Sequence, residues 1–104
     1  MSRDMRGSVI VRRDDAQGRY ELLIDEQLAA YVELHRDGTT VVLPHTYTLP
    51  SFRGRGLAAQ VVRAALDDLA AQGATVVPAC WFVAEFIDAN PEYRHLLGGS
   101  SSGD

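Results

Sequence analysis

A turn that alternates arginine with glycine, followed by a long amphipathic segment, constrains this chain more than any other feature. The turn occupies residues 53–56 and reads Arg-Gly-Arg-Gly. Over residues 56–72, apolar side chains then recur at spacings of three and four, which predicts a helix with one buried face. These side chains are Leu57, Val61, Val62, Ala65, Leu66 and Leu69. Gly73 stands where a C-cap glycine belongs. A helix of this kind needs a second layer to cover its apolar face, so the chain must fold as a layered domain.

The chain before the turn reads as β-structure. Residues 8–13 and 19–25 flank a Gln-Gly turn, which predicts a hairpin. Residues 27–36 alternate apolar with polar side chains, which favours a strand over a helix. Residues 39–48 are rich in β-branched side chains but include Pro44, and an uninterrupted central strand would not accept a proline there. We therefore expect a bulge or a splay near Pro44.

The chain after the long helix contains shorter elements. Residues 74–78 read as a short buried strand, residues 81–89 as a second helix, and Pro91 opens a last short helix. This order predicts an α+β fold with a mixed, mostly antiparallel sheet, a central helix and short C-terminal helices. Residues 1–97 are expected to form a single domain, and residues 98–104 a disordered tail with nothing to bury.

Composition excludes several classes of protein. The 104-residue chain carries a formal charge of −4, whereas a general nucleic-acid binder needs a cationic surface. Cys80 is the single cysteine, so neither an internal disulfide nor a thiolate zinc site can form, and we predict no metal. A lone cysteine favours a reducing compartment, so we expect a cytoplasmic protein. No signal peptide or membrane span is visible, and no membrane partner is expected.

The glycine turn has the chemistry of a phosphate site. Glycines let successive N–H groups converge, and the N-terminus of the following helix adds partial positive charge. Arg53 and Arg55 contribute full charges, and the small Ala58 and Ala59 allow close approach. The alternative is a glycine-rich loop with solvated arginines. A dinucleotide fingerprint requires an acidic residue after the next strand, and a P-loop requires Gly-Lys-Ser/Thr; neither is present. Coenzyme A is the best remaining ligand.

Three further blocks accompany the pattern Arg53-x-x-Gly56-x-Ala58: His-Thr-Tyr-Thr at residues 45–48, Pro-Ala-Cys-Trp-Phe-Val at 78–83, and Asn-Pro-Glu-Tyr at 90–93. In this order they resemble the GNAT superfamily (GCN5-related N-acetyltransferases), and more narrowly its short YjdJ-like family, over roughly residues 7–97. The resemblance implies a GNAT fold and acetyl-CoA as acetyl donor. The chain departs from the family in two places, because its proline comes one position later, after Leu49, and Tyr47 stands where many members carry an acidic residue.

The resemblance also implies which residues hold the cofactor. In this fold two strands splay apart and the pantetheine arm pairs between them like an added strand. The implied contacts are Thr46, Tyr47 and Thr48 on the strand, then Arg53, Gly54, Arg55, Gly56, Leu57, Ala58 and Ala59 at the turn, and Asn90 and Tyr93 near the C-terminus. Two alternatives remain open. Pro44 could merely mark an edge strand, and Tyr93 could serve only in packing.

Two side chains are candidates for catalysis. Cys80 follows a strand and precedes a helix, where thiolate character is favoured, and it matches the family's cysteine. It could equally be a small buried hydrophobe, which would leave the amine to attack directly. His45 could accept the proton of an ammonium substrate, or serve a structural role. Asp67 and Asp68 lie on the polar face of the long helix and are expected to be solvated, without a role.

Three functions remain open at this point. The first is an N-acetyltransferase that moves an acetyl group from acetyl-CoA to a small-molecule or peptide amine and releases CoA. The second is a CoA-binding module without turnover, since the chain has no extra N-terminal elements to enclose an acceptor. The third is a structural or protein-interaction domain with an incidental glycine turn. We expect a monomer or a weak dimer.

Overall fold

A computed structural model describes residues 8–98 of the chain. The first three strands are β1 (Val9–Asp14), β2 (Arg19–Ile24) and β3 (Gln27–Glu33). They form an antiparallel meander, in which β1 pairs with β2 and β2 with β3. The hairpin and the strand predicted for this part of the sequence are therefore confirmed. One register shift interrupts the β2–β3 pairing between Leu22 and Leu23.

The segment around Pro44 moves the chain from one sheet to another. Strands β4 (His35–Asp37) and β5 (Thr40–Val42) pair with each other, whereas β6 (Thr46–Thr48) pairs with β3. The N–H of Glu33 donates to the carbonyl of His45 at 2.8 Å, which carries the pairing up to the break. The predicted interruption near Pro44 is present. It separates a four-stranded sheet, in the order β1-β2-β3-β6, from a three-stranded sheet.

The long helix, α1 (Leu57–Ala71), follows a 3-10 turn at Pro50–Phe52. All six apolar residues that the sequence assigns to its inner face are buried. They lie in one core with side chains from one face of the meander, among them Leu22, Ala30 and Val32. Because these strand residues are small or branched aliphatics, α1 can lie close to the sheet.

The last elements close the second sheet and cover the helix. Strand β7 (Thr75–Val77) pairs in parallel with β5, so α1 is the crossover between them. Helix α2 (Trp81–Ala89) and a 3-10 helix (Pro91–Leu97) follow. Ile87 and Leu96 bury their side chains in the same core as α1. The chain is thus an α+β fold with a mostly antiparallel sheet, as predicted.

Parts of the predicted domain boundaries fall outside the described residues. These are residues 1–7 of the predicted domain and, except for Gly98, the predicted tail at 98–104. The single-domain boundary at residue 97 therefore stays a prediction. Within residues 8–98, no helix is both long and apolar enough to cross a membrane.

Candidate functional site

The turn before α1 owes its shape to two glycines in the left-handed region. Gly54 has φ 82° and Gly56, the N-cap of α1, has φ 72°. A β-carbon at either position would meet nothing within 4 Å, so backbone conformation rather than packing demands glycine there. The turn predicted from the sequence is thus a curled segment that faces open space.

The head of α1 presents free amide groups at this turn. The first intrahelical bond is donated by Gln60 to the carbonyl of Gly56, at 3.3 Å. Within residues 8–98 no acceptor meets the N–H groups of Leu57, Ala58 or Ala59. Unpaired N–H groups at the positive end of a 15-residue helix form an anion-binding geometry.

A cleft of about 270 Å³ opens beside these amides. Phe82 from α2 and Thr48 from β6 line it. The remaining lining residues were all predicted cofactor contacts: Arg53, Gly54, Gly56, Leu57, Ala58 and Ala59. Arg55 does not line the cleft, because its guanidinium lies over the ring of Phe52, 5.4 Å from the centroid.

Arg53 joins the turn to strand β6. Its Nε donates to the carbonyl of Thr48 at 3.1 Å, and its guanidinium carbon lies 5.6 Å from the ring centroid of Tyr47. Arg53 therefore lines the cleft, and its guanidinium also lies near the ring of Tyr47.

The two sheets part next to strand β6. The N–H of Leu43 donates to the carbonyl of Val77 at 2.9 Å, and the N–H of Cys80 to the carbonyl of Leu43 at 3.0 Å. After β5 the chain continues into β6, which pairs with β3. After β7 it continues into α2. Strand β6 is the last strand of its sheet, so among the described residues its second edge pairs with no strand.

Cys80 lies at this gap as the N-cap residue of α2. Its half-buried Sγ is 3.6 Å from Oγ1 of Thr46. Partial burial raises the pKa of the thiol, but hydrogen bonds from the N–H of Val83, the hydroxyl of Thr46 and the N–H groups of Phe82 and Thr46 outweigh it. The pKa of Cys80 therefore lies below its ordinary value, which favours the nucleophilic thiolate.

His45 and Tyr47 lie on the other face of the sheet. Thr46 and Thr48 pair with the buried residues Val32 and Ala30 and so face the helices, whereas Tyr47 pairs with Tyr31 on the outer face. The exposed His45 ring lies 6.2 Å from Tyr47 and 6.3 Å from Tyr31, measured between centroids. The structure thus places Thr46, but not the His45 ring, in contact with Cys80. The proton-accepting role of His45 stays a prediction.

Asn90 and Tyr93 pack against the middle of α1 instead of lining the cleft. Arg63 donates to the hydroxyl of Tyr93 and to Oδ1 of Asn90, at 3.2 Å each. The Tyr93 hydroxyl donates to Asp67 at 2.7 Å, and Tyr93 is only 6% exposed. Burial raises the pKa of Tyr93, and the hydrogen bond to Asp67 adds to that shift. Contact of Asn90 and Tyr93 with the cofactor stays a prediction. Their hydrogen bonds to α1 do not favour it.

Asp67 is exposed and Asp68 partly exposed, and each also makes a contact that the sequence did not predict. Asp67 accepts the hydrogen bond from Tyr93, and Asp68 accepts one from the Tyr20 hydroxyl at 2.7 Å. Desolvation, together with the bond to Asp68, raises the pKa of Tyr20 to about 12. Both carboxylates therefore fix neighbouring elements to α1.

Sequence reasoning missed two residues at the site. Phe82 lines the cleft, and its place next to Cys80 at the start of α2 was the available signal. Arg63 holds both Asn90 and Tyr93, but its regular helical surface position gives no sequence signal. No group of three or more His, Cys, Asp or Glu that could hold a metal occurs in the part of the chain that the structure describes.

The fold and the site together define a class of protein. A mostly antiparallel sheet whose edge strand β6 parts from a second sheet, with a helix start and a cysteine near the gap, is the arrangement of a GNAT-like α+β fold. A family model described as GCN5-related N-acetyl-transferase matches residues 19–96, most of the chain. The chain belongs to this family.

Curated relatives of the chain from several vertebrates carry the name Protein NATD1. The chain is 33% identical over 57 residues to that of Xenopus tropicalis, 34% over 56 residues to that of Bos taurus, and 32% over 56 residues to that of Homo sapiens. These matches cover 55%, 54% and 54% of this chain and 52%, 50% and 50% of the relatives, respectively. The chain thus spans about half the length of the curated relatives it matches.

Proposed function

We propose that this protein is an N-acetyltransferase that moves the acetyl group of acetyl-CoA to an amine, either a small molecule or a peptide. One observation carries the proposal: the free amides of Leu57, Ala58 and Ala59 share a cleft with Thr48 of the edge strand β6, and Thr46 of the same strand contacts Cys80. Acetyl-CoA supplies a thioester, which is already activated for attack by an amine.

The residues present fit the three parts of the cofactor. The amides at the head of α1, with the positive end of the helix, would hold the pyrophosphate. The unpaired edge of β6 would pair with the amides of the pantetheine arm through Thr46, Tyr47 and Thr48. Phe82 contributes an aromatic ring to the lining of the cleft. The thioester would then lie near Cys80, where the strands part.

Cys80 is the proposed nucleophile. Its thiolate would attack the thioester carbonyl, forming a bond from Sγ to the acyl carbon while the bond to the CoA sulfur breaks and CoA leaves as a thiolate. The amine would then attack the acetyl carbon and lose its proton, forming the amide bond while the bond to Sγ breaks and Cys80 leaves as a thiolate. His45, exposed next to the gap, is the proposed acceptor of that proton. Because this chemistry needs a free thiol, we assign the protein to the cytoplasm.

Two measurements test the proposed function. Calorimetry should detect acetyl-CoA binding, and a free-thiol assay against a panel of amines and lysine peptides should detect release of CoA. Replacing Cys80 with Ala should reduce turnover by at least about a hundredfold, as for loss of other activated nucleophiles, and leave acetyl-CoA affinity nearly unchanged.

Each alternative has its own signature in these measurements. Binding without thiol release would identify a CoA-binding module instead of an enzyme. Unchanged turnover in Cys80→Ala would remove the covalent step and leave direct attack by the amine. Absence of binding would overturn the proposal as a whole.

A further inference from the structure

Trp81 is an exposed aromatic residue directly after the proposed nucleophile. It is the first residue of α2, the helix that Cys80 caps. Trp81 is 70% exposed, whereas a tryptophan normally buries most of its ring in a core or an interface. Its ring meets that of Phe82 edge-on, with 6.0 Å between the centroids, and Phe82 lines the cleft. The ring of Trp81 is therefore open to a ligand beside the cofactor site.

The surface next to Cys80 is apolar and open on this side. Ala79 and Trp81, the neighbours of Cys80 in the chain, are both exposed, and Val77 is 43% exposed. Acetyl-CoA would fill the cleft at the head of α1, so the acceptor needs a second approach to the acetyl group. The surface of Ala79 and Trp81 offers one.

Helix α2 continues this surface as a stripe of exposed residues. Side chains three and four positions apart share one face of a helix. On α2 the exposed face that begins with the tryptophan consists of Trp81, Ala84, Glu85 and Asp88. We call these residues the outer stripe. It combines one aromatic ring with two carboxylates.

The outer stripe is negatively charged. Helix α2 contains the carboxylates of Glu85 and Asp88 and no basic residue. Asp88 has Arg94 at 3.5 Å, whereas the Glu85 carboxylate has no ion pair or hydrogen bond with any residue in 8–98. Arg63, which reaches α2 from α1, is itself 3.6 Å from Glu92. With Arg94 counted, one net negative charge remains on the stripe, at Glu85.

An aromatic ring followed one helical turn later by a free carboxylate suits an organic cation. The face of a tryptophan attracts an ammonium group placed over it, and Glu85 lies on the same face of α2 as Trp81. The partial positive charge of a helix start falls off within its first turn, and Glu85 lies beyond that turn. An anion would face the carboxylate of Glu85 without a compensating charge.

Given the proposed transferase activity, we infer that Trp81 and Glu85 bind the acetyl acceptor, and that the acceptor carries a second, positively charged group besides the reacting amine. The reacting nitrogen lies at Sγ of Cys80, and the second charge lies at the ring of Trp81 and the carboxylate of Glu85. At the rise per residue of an α-helix, Glu85 is about 7.5 Å along the axis from Cys80. The acceptor is therefore a diamine-like dication with its two nitrogens about that far apart.

Three acceptors with the same aminopentyl chain test this inference, and their far groups are trimethylammonium, tert-butyl and carboxylate. The first two have the same shape and differ only in charge, and each of the three has a single reactive amine. We expect kcat/KM, per concentration of unprotonated amine, to be highest for trimethylammonium and lowest for carboxylate. Trimethylammonium should exceed tert-butyl by about fivefold, the size of a cation–π contact plus an exposed ion pair. Equal values, or a preference for either of the other two, would overturn the inference.

Variants of the outer stripe locate the preference. Trp81→Leu and Glu85→Gln should each lower the ratio of kcat/KM for trimethylammonium over tert-butyl by about twofold or more, whereas Trp81→Phe keeps an aromatic face and should keep most of the ratio. The matched control is Asp37→Asn, which removes the same charge as Glu85→Gln from an exposed carboxylate on β4 and should keep the ratio. If Asp37→Asn lowers the ratio as much as Glu85→Gln does, the preference reflects overall charge, and the inference fails. It also fails if Trp81→Leu keeps the ratio.

Fluorescence gives a readout that does not depend on turnover. Trp81 is the single tryptophan of the chain, so tryptophan emission reports on this position alone. With CoA bound, titration of the trimethylammonium acceptor should change the emission to a saturating value, and Glu85→Gln should move the midpoint to higher concentration. If CoA alone produces the whole change and the acceptor adds none, Trp81 belongs to the cofactor site, which contradicts the inference.

The remaining outcomes separate this inference from the proposed function. If calorimetry shows acetyl-CoA binding and all three amines are acetylated equally, the transferase stands and the outer stripe is not its acceptor site. If sedimentation shows a dimer that Trp81→Leu dissociates, a second copy of the chain covers the stripe, which also overturns the inference. If acetyl-CoA does not bind, the proposed function itself fails, and the inference fails with it.

Discussion

At the scale of single residues, the chemistry of Cys80 depends on contacts from distant parts of the chain. The sequence shows only a lone cysteine before a helix. The structure adds the hydroxyl of Thr46, 34 positions away, at 3.6 Å from the sulfur. Hydrogen bonds from Thr46 and from the first turn of α2 lower the pKa of the thiol despite its partial burial. The pKa of the thiol is therefore lowered because β6 and α2 meet at this point.

Replacing Thr46 with Val should raise the pKa of Cys80, since the hydroxyl hydrogen bond to the thiolate is lost. Alkylation by iodoacetamide should then slow by a few fold near neutral pH, and its pH profile should move to higher pH. Thr48→Val is the matched control, because Thr48 lies on the same face of β6 and, within residues 8–98, Thr46 and not Thr48 is hydrogen-bonded to the sulfur. A profile that does not move in Thr46→Val would show that this contact does not tune the thiol.

At the scale of elements, α1 offers an internal comparison between its two ends. Gly56 precedes the helix and Gly73 follows it, both have φ 72°, and a β-carbon at either would meet nothing within 4 Å. The backbone strain of a substitution should therefore be the same at both ends. Only Gly56 borders the cleft.

Gly56→Ala and Gly73→Ala should each lower the free energy of unfolding by about 1–2 kcal/mol, the cost of a left-handed non-glycine residue. Gly56→Ala should in addition weaken acetyl-CoA binding by at least about tenfold, because its methyl group projects beside the amides that would hold the pyrophosphate. Urea denaturation and calorimetry measure the two effects. Equal affinity in both variants would remove this turn from the cofactor site.

The same elements show which features the sequence could predict. The helices, the hairpins and the glycine turn follow from local periodicity and local backbone demands. The free edge of β6 could not be predicted in this way, because it depends on the pairing of β5 with β7, a strand more than 30 residues later in the chain. Tyr93 is a similar case. Its hydroxyl is hydrogen-bonded to Asp67 and Arg63 of α1, and the local sequence pattern around Tyr93 does not predict those partners.

At the scale of the whole molecule, α1 holds the two ends of the described fold together. The neighbouring carboxylates Asp67 and Asp68 accept hydrogen bonds from Tyr93 and Tyr20, both at 2.7 Å. Tyr93 belongs to the C-terminal 3-10 helix and Tyr20 to the N-terminal meander. The helix that carries the turn at its head is thereby fixed to both sides of the domain, which keeps the cleft in one geometry.

The contact between Tyr20 and Asp68 predicts how stability depends on alkaline pH. Folding raises the pKa of the Tyr20 phenol from about 10 to about 12, so the phenol remains a hydrogen-bond donor in the folded state after it has ionised in the unfolded state. The stabilisation is complete below pH 10 and is lost as the pH rises through about 12. Unfolding in urea across this window should therefore show a falling free energy in the unmodified chain.

Tyr20→Phe should lower the free energy of unfolding at neutral pH by about 1–2 kcal/mol, since it removes one hydrogen bond to a partly exposed carboxylate. It should also remove much of the loss of stability between pH 10 and 12. Tyr31→Phe is the control, because among residues 8–98 the Tyr31 hydroxyl has no hydrogen-bond partner, and this variant should keep the alkaline loss. If Tyr20→Phe keeps that loss in full, other groups cause it, and the link between the meander and α1 rests on apolar packing alone.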